Sequence, residues 1–244
     1  MTLAPPAFPS RADHSEQRRS VREMFTAIAP RYDFLNHFLS LGVDRRWRRA
    51  AVDRLGWQAK RDGLYLDACA GTLDLAEELA RRRDFSGRVV GADFSARMLK
   101  LGAGKSRPGA VRPAAADTLE LPFPAGRFDG AMVAFGVRNL TDLDAGLAEL
   151  ARVLKPGARL VVLEFTTPAW APFRALYLFY FRRLLPLVGR AVSGHPTAYS
   201  YLPASVSTFP APDALLDRVR AAGFRDAGYS LLTGGIAALH WGTR

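Results

Sequence analysis

The sequence predicts an α/β fold, doubly wound, with a mostly parallel seven-stranded sheet covered by helices on both faces. Three observations predict it. From about residue 63, short apolar runs alternate with amphipathic stretches at helical spacing. Gly, Pro and Asp punctuate the junctions between them. The 244 residues, 49% of them hydrophobic, suffice for one buried core. Strand–helix alternation calls for a parallel sheet, and right-handed crossovers place helices on both of its faces.

The elements follow in order. Residues 1–15 read as a disordered leader. Residues 16–58 read as a helical cap, with Val21, Met24, Phe25 and Ile28 at helical spacing and Pro30 ending the first helix. Strands are expected at 63–68, 88–93, 110–115, 128–135 and 160–165, with helices at 73–83, 96–102 and 142–154 between them. Residues 168–210 break the alternation with Trp170, Phe173, Tyr177, Phe179 and several leucines among arginines. This insert reads as a lid over an apolar ligand, with an interfacial membrane helix, a dimer contact or a buried helix as alternatives. A helix at 212–222 and strands at 229–232 and 236–241 complete the single domain of 16–244.

Composition narrows the function classes. The net charge of +11 comes mostly from arginine scattered along the chain. The scatter reads as solvated surface, and the clusters Arg45–Arg49 and Arg81–Arg83 as a source of attraction to anionic headgroups. No zinc-ligand set or RNA-recognition signature points to nucleic acid. A lone cysteine, Cys69, suits a reducing compartment. With no secretory signal pattern and no spanning apolar run, the expected location is cytoplasmic, with contact at the inner membrane face left open.

In an open parallel sheet, ligands bind beyond the carboxyl ends of the strands, where strand order reverses. The first strand ends in Asp67-Ala68-Cys69-Ala70-Gly71-Thr72-Leu73-Asp74, a small-residue turn that lets backbone approach a ligand. The second ends in Asp93, 26 residues after Asp67, placed to accept from ribose hydroxyls. Asp117 follows the third and suits an amino donor. Plainer readings stand beside these: Asp93 capping the helix from Ser95, and Asp117 as a turn residue.

Four blocks then resemble the ubiquinone/menaquinone biosynthesis C-methyltransferases, a family of class I S-adenosylmethionine methyltransferases. They are Tyr32-Asp33-Phe34-Leu35-Asn36 with Ser40 and Trp47; Gly71-Thr72-Leu73-Asp74; Leu121-Pro122-Phe123 with Phe135-Gly136-Val137-Arg138-Asn139; and Arg152-Val153-Leu154-Lys155-Pro156-Gly157 through Glu164-Phe165. The resemblance covers roughly residues 20–242. It implies S-adenosylmethionine as cofactor, held by Asp67, Gly71, Thr72, Asp93, Asp117, Thr118 and Ala134. It implies a lipid-tailed quinol as substrate, with Arg138, Asn139 and Tyr32 at the reacting end. No metal is expected, and a homodimer is left open. Leu73 stands where the family has glycine; a left-handed backbone there costs leucine about 1 kcal/mol, and otherwise its side chain crowds the cofactor. The plainer reading of Arg138 pairs it with Asp142 or Asp144, and that of Tyr32 is core packing. His240, in a terminal strand, reads as structural, and His195 lies in the insert.

Overall fold

Where the sequence runs apolar in short stretches, the computed structural model forms strands β1 (Leu64–Ala68), β2 (Arg88–Asp93), β3 (Val111–Ala115), β4 (Phe128–Ala134), β5 (Leu154–Phe165), β6 (Arg225–Leu232) and β7 (Ala237–Thr243). The structure describes residues 42–105, 108–180 and 198–244, with the backbone alone at 198–200 and 202, and Glu16, Arg19, Glu23, Met24, Thr26, Ala27, Ala29 and Ser40 before them. The strands join in the order β3-β2-β1-β4-β5-β7-β6. The first five are parallel, and β7 runs antiparallel to both β5 and β6. The order reverses at β1, which pairs with β2 on one side and β4 on the other.

From Val43 onward they are accompanied by the α-helices α1 (Val43–Leu55), α2 (Asp74–Ala80), α3 (Ala96–Gly102), α4 (Leu143–Val153), α5 (Ala171–Phe179), α6 (Ala198–Thr208) and α7 (Pro212–Ala221). The strands' period of two sorts their side chains into two cores. Met132, Val161 and Leu163 join Trp47, Val52 and Leu55 of α1 and Leu75 and Leu79 of α2 on one face. Ala131, Val133, Leu160 and Val162 join Leu147 and Leu150 of α4 and Leu215 and Val219 of α7 on the other. This is the two-sided cover that the alternation predicts.

Element bounds differ where turns are irregular. β5 starts at Leu154, since Leu154 pairs with Phe128 ahead of the Pro156-Gly157 kink, across a register shift. β6 starts at Arg225, where the left-handed Asp226 and another shift break the alternation. Within the expected helical cap, α1 packs on β4, β5 and β7 as part of the sheet cover. Thr26, in the helical stretch before it, reaches Ser95 at the end of β2 (Oγ to Oγ 3.1 Å).

Candidate active site

The carboxyl ends of β1 to β4 open into a crevice of about 730 Å³ including its mouth. Each strand contributes to the wall: Cys69 and Gly71 after β1, Asp93 and Phe94 at β2, Asp117 to Leu119 after β3, and Ala134 to Gly136 with Asn139 at β4. Met98 of α3 and Leu140 supply apolar surface.

The turn after β1 has a specific backbone. Cys69, Gly71 and Leu73 all take positive φ (52°, 52° and 67°), so every second residue is left-handed and only one is glycine. Two acids hold this turn. Asp93 Oδ2 accepts from Gly71 N at 2.8 Å while its Oδ1 accepts from Ser95 N at 2.8 Å. Asp67 Oδ2 accepts from Ala76 N at 2.9 Å, satisfying the start of α2 from beneath. The Leu73 side chain turns away from the crevice. It lies over Gly91 and Gly102, where any added Cβ would come within 2.2 and 3.0 Å of Leu73 atoms. Leucine therefore takes the left-handed backbone and leaves the crevice open.

Burial governs the electrostatics here. Asp67 is pushed up to about 8 by desolvation, opposed by the Ala76 N–H and Arg48. Desolvation also raises Asp93, against its two backbone donors. Cys69 is pushed up to about 12 by burial, with Asp93, Asp67 and Asp117 adding to the rise. Burial thus favours the neutral form of Asp67, while Asp93 and Asp117 bring carboxyl oxygens to the crevice wall as hydrogen-bond acceptors.

The turn after β4 is built the opposite way. Phe135 has φ of 58°, and the Arg138 guanidinium donates through Nη1 to its carbonyl. The same Nη1 donates to Glu164 Oε1 at 2.9 Å; the two side chains are 5% and 1% exposed. Glu164 Oε1 also accepts from Phe165 N at 2.9 Å. Burial raises the Glu164 carboxyl and Arg138 opposes the rise. The Nε of Arg138 has no acceptor among the described residues. Asn139 projects to the crevice wall with its Oδ1 accepting from the Tyr201 hydroxyl of α6 at 3.0 Å. Gly136 lets the two turns touch: an added Cβ would meet Cys69 Cβ at 2.3 Å.

Of the residues singled out in the sequence, Gly71, Asp93, Asp117, Thr118, Ala134 and Asn139 come together on the crevice wall. Asp67, Thr72 and Arg138 sit behind it, and Tyr32 and His195 lie outside the described residues. The plainer pairing of Arg138 fails, because Asp142 caps α4 through Ala145 N and Asp144 pairs with Arg218 at 2.6 Å. Asp93 and Asp117 do serve turns, Asp117 through Leu119 N at 2.9 Å, and both still line the crevice. His240 is buried with Nε2 2.9 Å from Pro212 O, a structural place. Sequence reasoning missed Glu164 and Tyr201 as neighbours of the Arg-Asn pair. A buried acid closing β5 beside an arginine closing β4 is the signal that could have found Glu164.

The ubiE/COQ5 methyltransferase family model matches residues 11–244. The chain belongs to this family. Similar relatives include a demethylmenaquinone methyltransferase of Thermus thermophilus, 50% identical over 91% of this chain and 100% of that one. Another is the demethylmenaquinone methyltransferase of Deinococcus radiodurans, 46% identical over 97% of each chain. A ubiquinone/menaquinone biosynthesis C-methyltransferase of Geobacter sp. strain M21 is 44% identical over 94% of this chain and 98% of its own. Among solved structures, a SAM dependent methyltransferase from Aquifex aeolicus has a TM-score of 0.57 at 18% identity, covering 80% of this chain and 88% of that one. The [4+2]-cyclase SpnF reaches 0.66 at 19% identity, covering 95% and 78%. These place the fold alone, the class I methyltransferase fold; the family membership makes the chain a methyltransferase.

Among the described residues no cluster of His, Cys, Asp and Glu could hold a metal, and no helix is long and apolar enough to cross a membrane.

Proposed function

We propose that this protein transfers a methyl group from S-adenosylmethionine to a ring carbon of a lipid-tailed quinol; the reading is supported by relatives named ubiquinone/menaquinone biosynthesis C-methyltransferase and demethylmenaquinone methyltransferase. The observation that carries the reading is a crevice with carboxylates at its β1–β3 end and a buried arginine behind its β4 end. When bound, the cofactor supplies a methyl group already activated by its sulfonium charge. The residues present fit it: Asp93, oriented by Gly71 and Ser95, would receive the ribose hydroxyls, Asp117 on the same wall would accept from the adenine amino group, and Gly71 and Ala134 would give room.

The quinol ring carbon needs its neighbouring hydroxyl to lose a proton. At a phenolic pKa near 10 that loss costs roughly 4 kcal/mol at pH 7. Asn139 stands where it can hold that hydroxyl, its amide fixed by Tyr201. Arg138, one layer back and paired with Glu164, would bias the site towards the phenolate. An arginine with its pKa above 12 is no base, so the proton leaves through water. Glu164 holds the guanidinium in place. Tyr32 belongs to this proposal on its motif alone.

Mass spectrometry of quinones from cells lacking the protein tests the reading. Accumulation of a species one methyl lighter, reversed by the intact gene and not by Arg138→Ala, is the expected outcome. An unchanged quinone profile would overturn it. The same measurement names the head group.

A further inference from the structure

Helix α5 leaves the end of β5 close to Arg138 and carries two kinds of surface. Its inner positions Phe173, Tyr177 and Tyr180 follow helical spacing and are partly or fully buried. Phe173 lies against the Thr233–Gly235 turn, where an added Gly234 Cβ would meet its ring at 2.8 Å. Tyr177 feels the Arg138 charge. The outer positions are apolar and open: Trp170 is 69%, Leu176 64% and Phe179 58% exposed. Pro172, Leu176 and Phe179 form one stripe at i, i+4 and i+7, all exposed, with Trp170 at the helix start. Among the described residues only Leu101 and Leu231 are large hydrophobics comparably exposed elsewhere.

Charge argues for what covers this stripe. From Glu164 to Asp213 there is no acidic residue across 48 positions, and Arg174, Arg182, Arg183 and Arg190 fall between them. At the chain's 23 acids in 244 residues, such a stretch would carry about four. Arg174 is exposed on α5 itself. Exposed Trp, Phe and Leu with arginines and without carboxylates match the headgroup and acyl boundary of an anionic bilayer. A second copy of a chain at +11 meets repulsion instead.

We propose that α5 seats Trp170, Pro172, Leu176 and Phe179 in an anionic lipid surface, so that the crevice behind it receives its tailed substrate from the membrane. The proposal rests on the quinol reading for its purpose but not for its test.

Trp170 is a built-in probe, because Trp47 and Trp57 are buried and Trp241 is half-buried under the Arg54 guanidinium. Vesicles of phosphatidylcholine containing about one-third phosphatidylglycerol should blue-shift the fluorescence and co-sediment the protein, and phosphatidylcholine alone should do neither. The shift should vanish in Trp170→Phe. The triple variant Trp170→Ser, Leu176→Ser, Phe179→Ser should bind vesicles at least ~10-fold more weakly, while methylating a tail-less quinol in solution at the wild-type rate. Arg174→Glu should weaken binding to the anionic vesicles. Wild-type protein that ignores anionic vesicles, or a triple variant that binds them equally, would overturn the proposal. So would a Trp170-dependent dimer in sedimentation that persists with vesicles present. If vesicle binding behaves as expected and no quinol is methylated, the surface assignment stands and the substrate reading fails.

Discussion

Two strand-end turns face each other across the crevice, and they are opposites built on one plan. Each starts with a left-handed residue that is not glycine, Cys69 after β1 and Phe135 after β4. The first is held by carboxylates accepting backbone N–H groups, Asp93 from Gly71 and Asp67 from Ala76. The second is held by a guanidinium donating to a backbone carbonyl, Arg138 to Phe135. The proposed methyl transfer from a sulfonium to a phenolate would start with a cation on one side and an anion on the other. The first turn brings carboxyl oxygens to the crevice and the second keeps a guanidinium behind it, so under that proposal the cofactor falls at one end and the acceptor at the other.

The comparison breaks most visibly at Arg138. Arg138→Ala should lower turnover about 100-fold or more and destabilise the fold by about 3 kcal/mol, since Glu164 is left buried and unpaired. The pair Arg138→Met with Glu164→Gln should recover most of the melting temperature and none of the turnover. If activity returns with stability, the arginine is only structural.

On the other side, Asp93→Asn should weaken S-adenosylhomocysteine binding by roughly 10- to 100-fold in calorimetry, since an oriented carboxylate acceptor is lost. Its effect should fall on cofactor affinity, whereas that of Arg138 falls on turnover.

Leu73→Gly separates strain from packing. Removing the left-handed leucine relieves about 1 kcal/mol, and emptying its buried place over Gly91 and Gly102 costs more, so thermal unfolding should report a net loss of about 2 kcal/mol. Cofactor affinity should hold within about threefold. A large affinity change would place that side chain against the ligand after all.

The acidity of the first turn has its own signature. Burial lifts Asp67 from 3.8 to about 8, so the folded protein keeps a proton that the unfolded chain releases at lower pH. Stability from the neutral carboxyl is whole below about pH 4 and is lost as pH rises towards 8, at up to ~1.4 kcal/mol per pH unit. Asp67→Asn should flatten that decline in chemical-denaturation curves of the cofactor-free protein. A parallel curve would mean Asp67 is ionised in the fold.

The smallest change sharpens the second turn. Tyr201→Phe removes one hydrogen bond to Asn139 and should lower turnover about fivefold with cofactor affinity unchanged.

Much of this was legible in the sequence, for reasons that can be named. β2 and α3 fall where read, because Gly87 precedes one and Ser95 separates them. Asp93, Asp117 and Asn139 could be placed because a strand end fixes where the next residues point, whatever the loop does. The Arg138–Glu164 pair could not be placed, since it joins two strand ends 26 residues apart and only sheet register brings them together. Leu73 left two outcomes open because its direction depends on the bare surfaces of Gly91 and Gly102, which no local pattern announces. The arginine clusters gave no hint of Glu164, Tyr201 or the apolar wall at Phe94, Met98 and Leu119.

Phe135 also belongs to a ring cluster. It stacks on Phe165 with centroids 4.5 Å apart, and Trp47 of α1 leans on both at 6.1 Å while its Nε1 donates to Thr233 at 2.9 Å. The helix preceding the sheet is therefore keyed into the floor beneath the β4 end of the crevice and into the β6–β7 corner at once. Directed evolution towards new acceptors would have to move positions 47, 135 and 165 as a unit, and chimaeras that exchange α1 without its ring partners should lose catalysis before they lose the fold.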